Sequence, residues 1–398
     1  MWKKVLLSVL HGVATLLILW WYININYVTE PEEKEIQYLN WFRLQTNHPD
    51  TQILNKTVLV NTAKELELID DPEEYGKMAI TDRKALARLF HAINIQPKPP
   101  GLIICDILFS ERTDHDSSLE NEIGLLPHFV TPYVLEAGLP VEPIFNKARS
   151  GLAQYYTHDE KMVKFQLIHP GSMKTLPLLA DEWVNHRSYE STFLGTICSG
   201  RPVLGSIIPN YRIRPHMIQA SGSPEENTQE EGPHPTVPLY TAHDLTILLG
   251  DSLRGAGFLD GKYVVIGNFS GQDLHRTPIG SMPGVLILYN TFLTLNEGRQ
   301  FISPLWLIYI TCAFALLSYL VFFKGFPHFH FTGSGILHYL THSFLLKFIS
   351  IAFFVSVVSF ASYMIFHTHV NILFISFYYS LLSDIIKYWK DEKTVQHS

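Results

Sequence analysis

The stretch Phe258–Gly298, FLDGKYVVIGNFSGQDLHRTPIGSMPGVLILYNTFLTLNEG, decides the fold. Lys262–Ile266 (KYVVI) is a short apolar run rich in β-branched residues, the composition of a strand covered on both faces. A Gly-bounded loop follows, and a helix opens at Met282-Pro283-Gly284, where proline suits the first turn. The same unit recurs upstream. Thr57–Asn61 (TVLVN) reads as a strand, and Asp82–Ile93 then places Ala85, Leu86, Leu89, Phe90 and Ile93 on one helical face. Leu102–Asp106 (LIICD) is a second fully apolar strand ending in a carboxylate. A helix from Ser118 is expected behind a capping box at Ser117-x-x-Glu120, with a strand near Pro127–Pro132.

Further along, Lys164–Ile168 reads as a strand, Lys174–Val184 as a helix and Ile207–Tyr211 as an extended run. Residues 212–238 are rich in Pro, Glu and Gly and read as an exposed loop. Helix Thr241–Leu253 then leads back into the opening stretch. No repeat of fixed period is present. Alternating strands and helices predict an α/β fold, a mostly parallel sheet with flanking helices, and 280 residues suffice for one large core.

The flanks have another character. Residues 5–23, 304–323 and 348–366 contain no Asp, Glu, Lys or Arg, and each is long enough to cross a hydrocarbon core of roughly 30 Å. A fourth segment, 370–386, is shorter and carries Asp384, so it would cross a slightly thin bilayer. About four transmembrane helices are thus expected, one N-terminal and three C-terminal. Lys3 and Lys4 precede the first, Lys324 and Lys347 flank the loop after the second, and Lys387, Lys390 and Lys393 follow the last. The turn at 367–369 has no Lys or Arg. Positive-inside placement puts 1–4, 324–347 and 387–398 in the cytoplasm and 24–303 outside. The first apolar run exceeds a signal-peptide core and no small-x-small site follows it, which favours an uncleaved anchor.

Of the formal net charge of −7, the span 24–303 holds 23 basic against 34 acidic residues. An acidic domain argues against nucleic acid as a partner. Three cysteines make no disulfide framework; Cys105 and Cys198 read as buried apolar thiols, with pairing as the alternative. His328, His330, His338 and His342 in the second loop, and His367 and His369, read as interfacial histidines rather than a zinc or haem site. The chain contains no H-E-x-x-H, G-x-S-x-G or supported S-x-x-K motif.

Four ordered segments resemble the CHASE type-2 extracellular sensory domain of bacteria. In the opening stretch these are V-I-G, T-P-x-G (Thr277–Gly280), M-P-G-V (Met282–Val285) and N-x-x-L (Asn290–Leu293) before Glu297-Gly298. Asn210-Tyr211-Arg212, Pro100–Phe109 (PGLIICDILF) and Thr81-Asp82-Arg83 complete the set, although a tryptophan common before that arginine is absent. The resemblance covers most of 40–300 and matches the layout of one helix before the domain and about three after. It implies an external sensory module in a bacterial cytoplasmic membrane, joined to a cytoplasmic cyclase, kinase or phosphatase. Here only KYWKDEKTVQHS follows the last apolar helix, so a separate membrane or cytoplasmic signalling partner is expected.

In open parallel sheets ligands sit beyond the carboxyl ends of the strands. Two such ends are polar. One is Asp106, with Glu111, Asp114 and Asp116 beyond it, an acidic group able in principle to hold a divalent cation but read as a buried Asp with solvated neighbours. The other is Gly267–Pro278, where Ser270, Asp273, His275 and Arg276 offer polar contacts without a P-loop or dinucleotide spacing. Arg83, Arg212 and Arg276 are expected to pair with Asp106 or Asp273. The expected ligand set is therefore Asp106, Arg83, Arg212, Ser270, Asp273 and His275, with no cofactor. The resulting function is a membrane-anchored sensor of a small ligand or protein outside the cell. A structural subunit of an envelope complex is the alternative, and an external metal-dependent hydrolase a more distant one.

Overall fold

The computed structural model describes residues 2–24, 28–46, 50–70, 76–153, 161–193, 195–221, 236–251, 255–324 and 344–396. The four histidines at 328–342 and residues 222–235 of the expected loop lie outside these. The described chain forms two compact units, one of Met1–Leu44, Leu204–Ser206 and Phe301–Ser398, the other of Gln45–Val203 and Ile207–Gln300.

The elements run α1 (Trp2–Ile23), α2 (Glu30–Thr46), α3 (Thr51–Asn55), β1 (Thr57–Asn61), β2 (Leu66–Asp70), β3 (Lys77–Thr81), α4 (Arg83–Asn94), β4 (Leu102–Cys105), α5 (Asp116–Ile123) and β5 (Phe129–Glu136). Next come β6 (Leu139–Val141), β7 (Arg149–Leu152), the two-residue strands β8 (Phe165–Gln166), β9 (Ile168–His169) and β10 (Met173–Lys174), and α6 (Leu176–Asn185). They are followed by β11 (Tyr189–Thr192), β12 (Gly195–Cys198), β13 (Arg201–Val203), β14 (Ser206–Ile207), β15 (Ile218–Ala220), β16 (Val237–Thr241) and α7 (Ala242–Gly250). The series closes with β17 (Tyr263–Gly267), β18 (Leu274–Thr277), β19 (Gly280–Pro283), α8 (Gly284–Asn296), α9 (Pro304–Tyr319), α10 (Phe344–Phe366) and α11 (Ile372–Gln396).

In the second unit an eight-stranded sheet has the order β15-β16-β1-β17-β4-β5, with β6 and β7 both paired to β5. Its ladders are parallel except that between β5 and β6. The expected α/β class and its mostly parallel sheet are therefore present. Alternate strand residues face opposite layers. Val58, Val60, Ile103, Cys105, Val264 and Ile266 pack with the apolar faces of α4, α5 and α7 in one core. The intervening Leu59, Ile104 and Val265, each fully buried, face the opposite side, where α8 meets β17 and α6 meets β4 and β5.

Several local expectations change. The helix expected from Ser118 starts at Asp116 and has no capping box: its N-cap, His115, makes no side-chain cap bond. Asp116 turns back to accept from Thr113 N (2.8 Å) and Thr113 Oγ1 (3.0 Å), and Glu120, the acid expected to close the box, accepts from Asn146 N (3.1 Å). The run Lys164–Ile168 forms only two two-residue strands, and the loop expected at 212–238 contains β15 and the start of β16. Cys105 and Cys198 are free, buried thiols, and burial pushes both pKa values up.

Among the described residues the first unit contains three helices long and apolar enough to cross a membrane: Trp2–Ile23, Pro304–Lys324 and Phe344–Phe366. The second of these is α9 continued through a π-helical turn at Leu320–Lys324. The fourth expected span is the first part of the longer, more polar α11, which runs on to Gln396. Within the apolar bundle His11 bonds Ser318 Oγ through Nδ1 (2.8 Å) and Tyr378 OH through Nε2 (2.9 Å).

The α2 helix carries few apolar residues, yet it buries Glu32, Ile36, Leu39, Asn40 and Arg43 on one face. What receives them is the end of α10, the turn after it and the start of α11. Arg43 donates to Tyr363 OH (3.2 Å) and His367 Nδ1 (2.9 Å), and Tyr363 OH donates to Asn40 Oδ1 (2.5 Å). Glu35 accepts from Ser359 Oγ (2.9 Å) and Ile372 N (3.2 Å), with His369 Nε2 3.3 Å away. Docking of α2 therefore rests on polar groups that would be costly to bury unpaired. Glu35→Gln, which keeps the size but removes the charge, is expected to weaken docking by about 1–2 kcal/mol. Limited proteolysis of the detergent-solubilised chain should then cut faster within 28–46; an unchanged rate would show that the charge does not hold α2.

Candidate functional site

The connections leaving the sheet set the position of the site. After β1 and β4 the chain reaches α4 and α5, which share one core with the strands, whereas after β17 it crosses β18 and β19 to α8 on the opposite layer. Since β17 lies between β1 and β4, the connections diverge on both sides of it and open crevices at the carboxyl edge, the usual seat of a ligand in such sheets. Asp106 stands at one crevice because its N–H continues the ladder, donating to Ile266 O (2.8 Å). Asn61 ties the other: its Oδ1 accepts from Ala63 N (3.1 Å) and Phe269 N (3.2 Å).

The loop after β17 brings Asp273 and His275 to this edge. His275 Nε2 lies 2.9 Å from Asp273 Oδ1. The Asp273 carboxylate also rests against the first turn of α8, so close that a Cβ on Gly284 would meet Asp273 Oδ2 at 2.8 Å. Glycine at 284 thus lets a carboxylate reach a helix N-terminus, where backbone N–H groups and the macrodipole favour negative charge. Asp106 is near enough to feel both groups. Burial, reinforced by the negative charge of Asp273 and opposed by His275, pushes the Asp106 carboxyl up to about 7. His275 is raised above the ordinary imidazole value, chiefly by its hydrogen bond to Asp273.

That shift has a signed consequence. Between the ordinary carboxyl value of 3.8 and about 7, the unfolded chain releases the Asp106 proton while the folded chain keeps it. Stability should therefore fall as pH rises through this window, and the loss is complete above about 7. Asp106→Asn removes the loss and should be more stable than the parent at pH 8 by about 1–2 kcal/mol, allowing for partial solvent screening. Thermal melts from pH 4 to 8 would show this as a widening gap; parallel curves would mean that Asp106 is not desolvated.

The other expected site residues are placed differently. Ser270 lies at the same edge, but its N–H and Oγ both donate to Asn268 Oδ1 (2.8 and 2.5 Å), which commits it to the loop turn. Arg83 is buried at the start of α4, with its guanidinium 4.5 Å from the Phe109 ring centroid and Nε 3.9 Å from Asp116 Oδ1. It pairs with neither Asp106 nor Asp273. Burial lowers its pKa against the opposing charges of Asp116 and Glu67, and among the described residues Nε and Nη1 have no hydrogen-bond partner. Arg212 pairs instead with Glu297 at 2.6 Å, at the far end of α8. A helix of 13 residues carries that pair on the order of 20 Å from Asp273, so the expected pairing fails on distance. Among the described residues no three or more His, Cys, Asp or Glu are grouped as a metal ion would need, and Asp106, Glu111, Asp114 and Asp116 are not gathered together.

Reasoning from sequence missed Asn61, although a polar residue ending an apolar strand was the signal used for Asp106. It also missed the β18–β19 ladder that carries His275, because four-residue strands across Pro278-Ile279 leave no alternating pattern long enough to read.

The parallel α/β domain thus gathers Asp106, Asp273 and His275 at its carboxyl edge, in a chain with three membrane-length helices among the described residues. A sequence profile described as the CHASE2 domain matches residues 14–321, and the chain belongs to the CHASE2 family. No curated protein and no solved structure matches it. The family match makes this an extracellular-type sensory domain with membrane-spanning helices, and no enzyme family is matched.

Proposed function

We propose that the protein is a multi-pass sensor of a bacterial cytoplasmic membrane, receiving an extracytoplasmic ligand in the crevice between β17 and β4 and signalling through a separate partner. The observation that carries this reading is the grouping of Asp106, Asp273 and His275 at the carboxyl edge, with Asp106 desolvated enough to titrate near neutrality. Two neighbouring carboxylates that cannot both ionise cheaply welcome a cationic or proton-donating group, so an amine-bearing ligand fits best. Perturbed carboxyls concentrate at such sites.

The topology follows from charge placement. Residues 24–303 lie outside, the span at 5–23 anchors them, and the spans at 304–323, 348–366 and 370–386 return the chain to the cytoplasm at 387–398. Any signal leaves through these helices toward a membrane or cytoplasmic partner. Thermal-shift measurements on the full chain in neutral detergent, against a panel of amino acids, polyamines and quaternary amines, test the proposal. A saturable shift that Asp106→Asn and Asp273→Asn abolish while remaining folded is expected. Variants that unfold, with no amine giving a shift to the parent, would favour a structural subunit instead.

A further inference from the structure

The buried face of α4 holds Leu86, Leu89, Phe90 and Ile93, and its opposite face carries Lys84, Arg88 and His91 at intervals of four and three residues, all exposed. Three and four residue spacings stack side chains into one stripe. The helices α5 and α7 rise on either side of α4, which itself presents Ala87 and Ala92 between them. These small residues leave a groove of about 590 Å³ above α4, whose rim includes His115, the N-cap of α5, Ser118 from α5 and Thr246 from α7.

The charge in this groove opposes that of its surroundings. The span 24–303 has 23 basic and 34 acidic residues, yet the groove lining holds Lys84, Arg88, His91 and His115 against a single acid, Glu122. That acid is already engaged: Glu122 Oε2 accepts from Asn94 Nδ2 at 2.8 Å, and Glu122 Oε1 lies 3.1 Å from His91 Nδ1. Among the described residues neither Lys84 nor Arg88 has a carboxylate partner. Two cations four residues apart with no carboxylate partner among the described residues, on the wall of a concavity lined by Ala87 and Ala92, suit an oxyanion. A guanidinium fork suits carboxylate and phosphate, and the ammonium adds a point charge.

We infer that this groove binds a soluble organic or inorganic oxyanion, a carboxylate or phosphate, at a second site chemically opposite to the acidic crevice. Isothermal titration of the full chain in neutral detergent at fixed ionic strength, with citrate and with inorganic phosphate as probes, tests it. Saturable binding of at least one probe is expected, weakened about tenfold or more in Lys84→Glu/Arg88→Glu. Both positions are exposed, so the variant should fold. Lys98→Glu, which alters a lysine paired with Asp260 outside the groove, should bind as the parent does. Absence of saturable binding up to about 10 mM would overturn the inference, as would equal weakening in the Lys98→Glu control. Competition by phosphatidylglycerol in nanodiscs, with no binding of either free anion, would assign the groove to a lipid headgroup and also overturn it.

Discussion

Replacing Gly12 with alanine, and then with leucine, should progressively drive α1 away from α9 and destabilise the helical unit. A Cβ at position 12 would lie 2.8 Å from Ala315 N, 3.1 Å from Ala315 Cα and 3.2 Å from Thr311 O. All three are backbone atoms of the facing helix, so no side chain can rotate away. Membrane helices lack a hydrophobic drive to associate and depend on close backbone approach at small residues. Overpacking of this kind costs about 1–3 kcal/mol, and for leucine about 3 kcal/mol or more, because the next atoms also have no room. The polar chain beside it adds to the loss, since His11 reaches Ser318 and Tyr378 only while the helices stay close. Disulfide trapping between cysteines introduced on α1 and α9 should proceed readily in the parent, slowly in Gly12→Ala and negligibly in Gly12→Leu. Equal rates in all three would show that the approach is not tight.

The second large effect belongs to Asp181. Its side chain is fully buried, and it accepts from Tyr189 OH (2.7 Å), Asn185 Nδ2 (2.8 Å) and Arg187 Nη1 (3.1 Å). Arg187 also donates to Leu295 O (3.1 Å), and Gln300 Nε2 donates to Tyr189 OH (2.6 Å). One carboxylate therefore fastens the end of α6, the β11 strand and the last turn of α8. Burial raises its pKa in spite of those donors, the mark of a charge retained in a poorly solvated place. Asp181→Ala strands a partly buried guanidinium and a buried phenol, a change worth about 3–5 kcal/mol. Chemical denaturation of the full chain should show a large drop in midpoint. Asp181→Asn, which retains one acceptor, should lose clearly less. If the two variants behaved alike, packing rather than the ion pair would be responsible.

What could be read in advance follows from how strongly each segment obeys a single period. TVLVN and LIICD are uninterrupted apolar runs, and both are strands within a residue of the expected bounds. The α8 start was legible from Pro283 and Gly284. By contrast α2 was not read, because its buried face mixes Ile36 and Leu39 with Glu32, Asn40 and Arg43, which breaks the apolar stripe. Strands β2 and β3 escaped because one face of each is largely exposed and the other only half-buried, so neither carries a fully apolar side. At the site, Asp106, Asp273 and His275 were visible as polar residues at strand ends. That they meet one another, while Arg83 turns toward Phe109 and Arg212 toward Glu297, depends on layer and distance, which residue order does not encode.

The central claim is that Asp106 receives the ligand in its ionised form beside Asp273. The most direct test is the proton balance of binding, measured by calorimetry in two buffers of different ionisation enthalpy with the first amine that shifts the melting temperature. A carboxyl with a pKa of about 7 is half protonated at neutral pH, so a cation seated against it should release about half a proton per site at pH 7. The release should vanish in Asp106→Asn. Binding that moves no proton at pH 7, or the same proton release from the Asp106→Asn variant, would contradict the account.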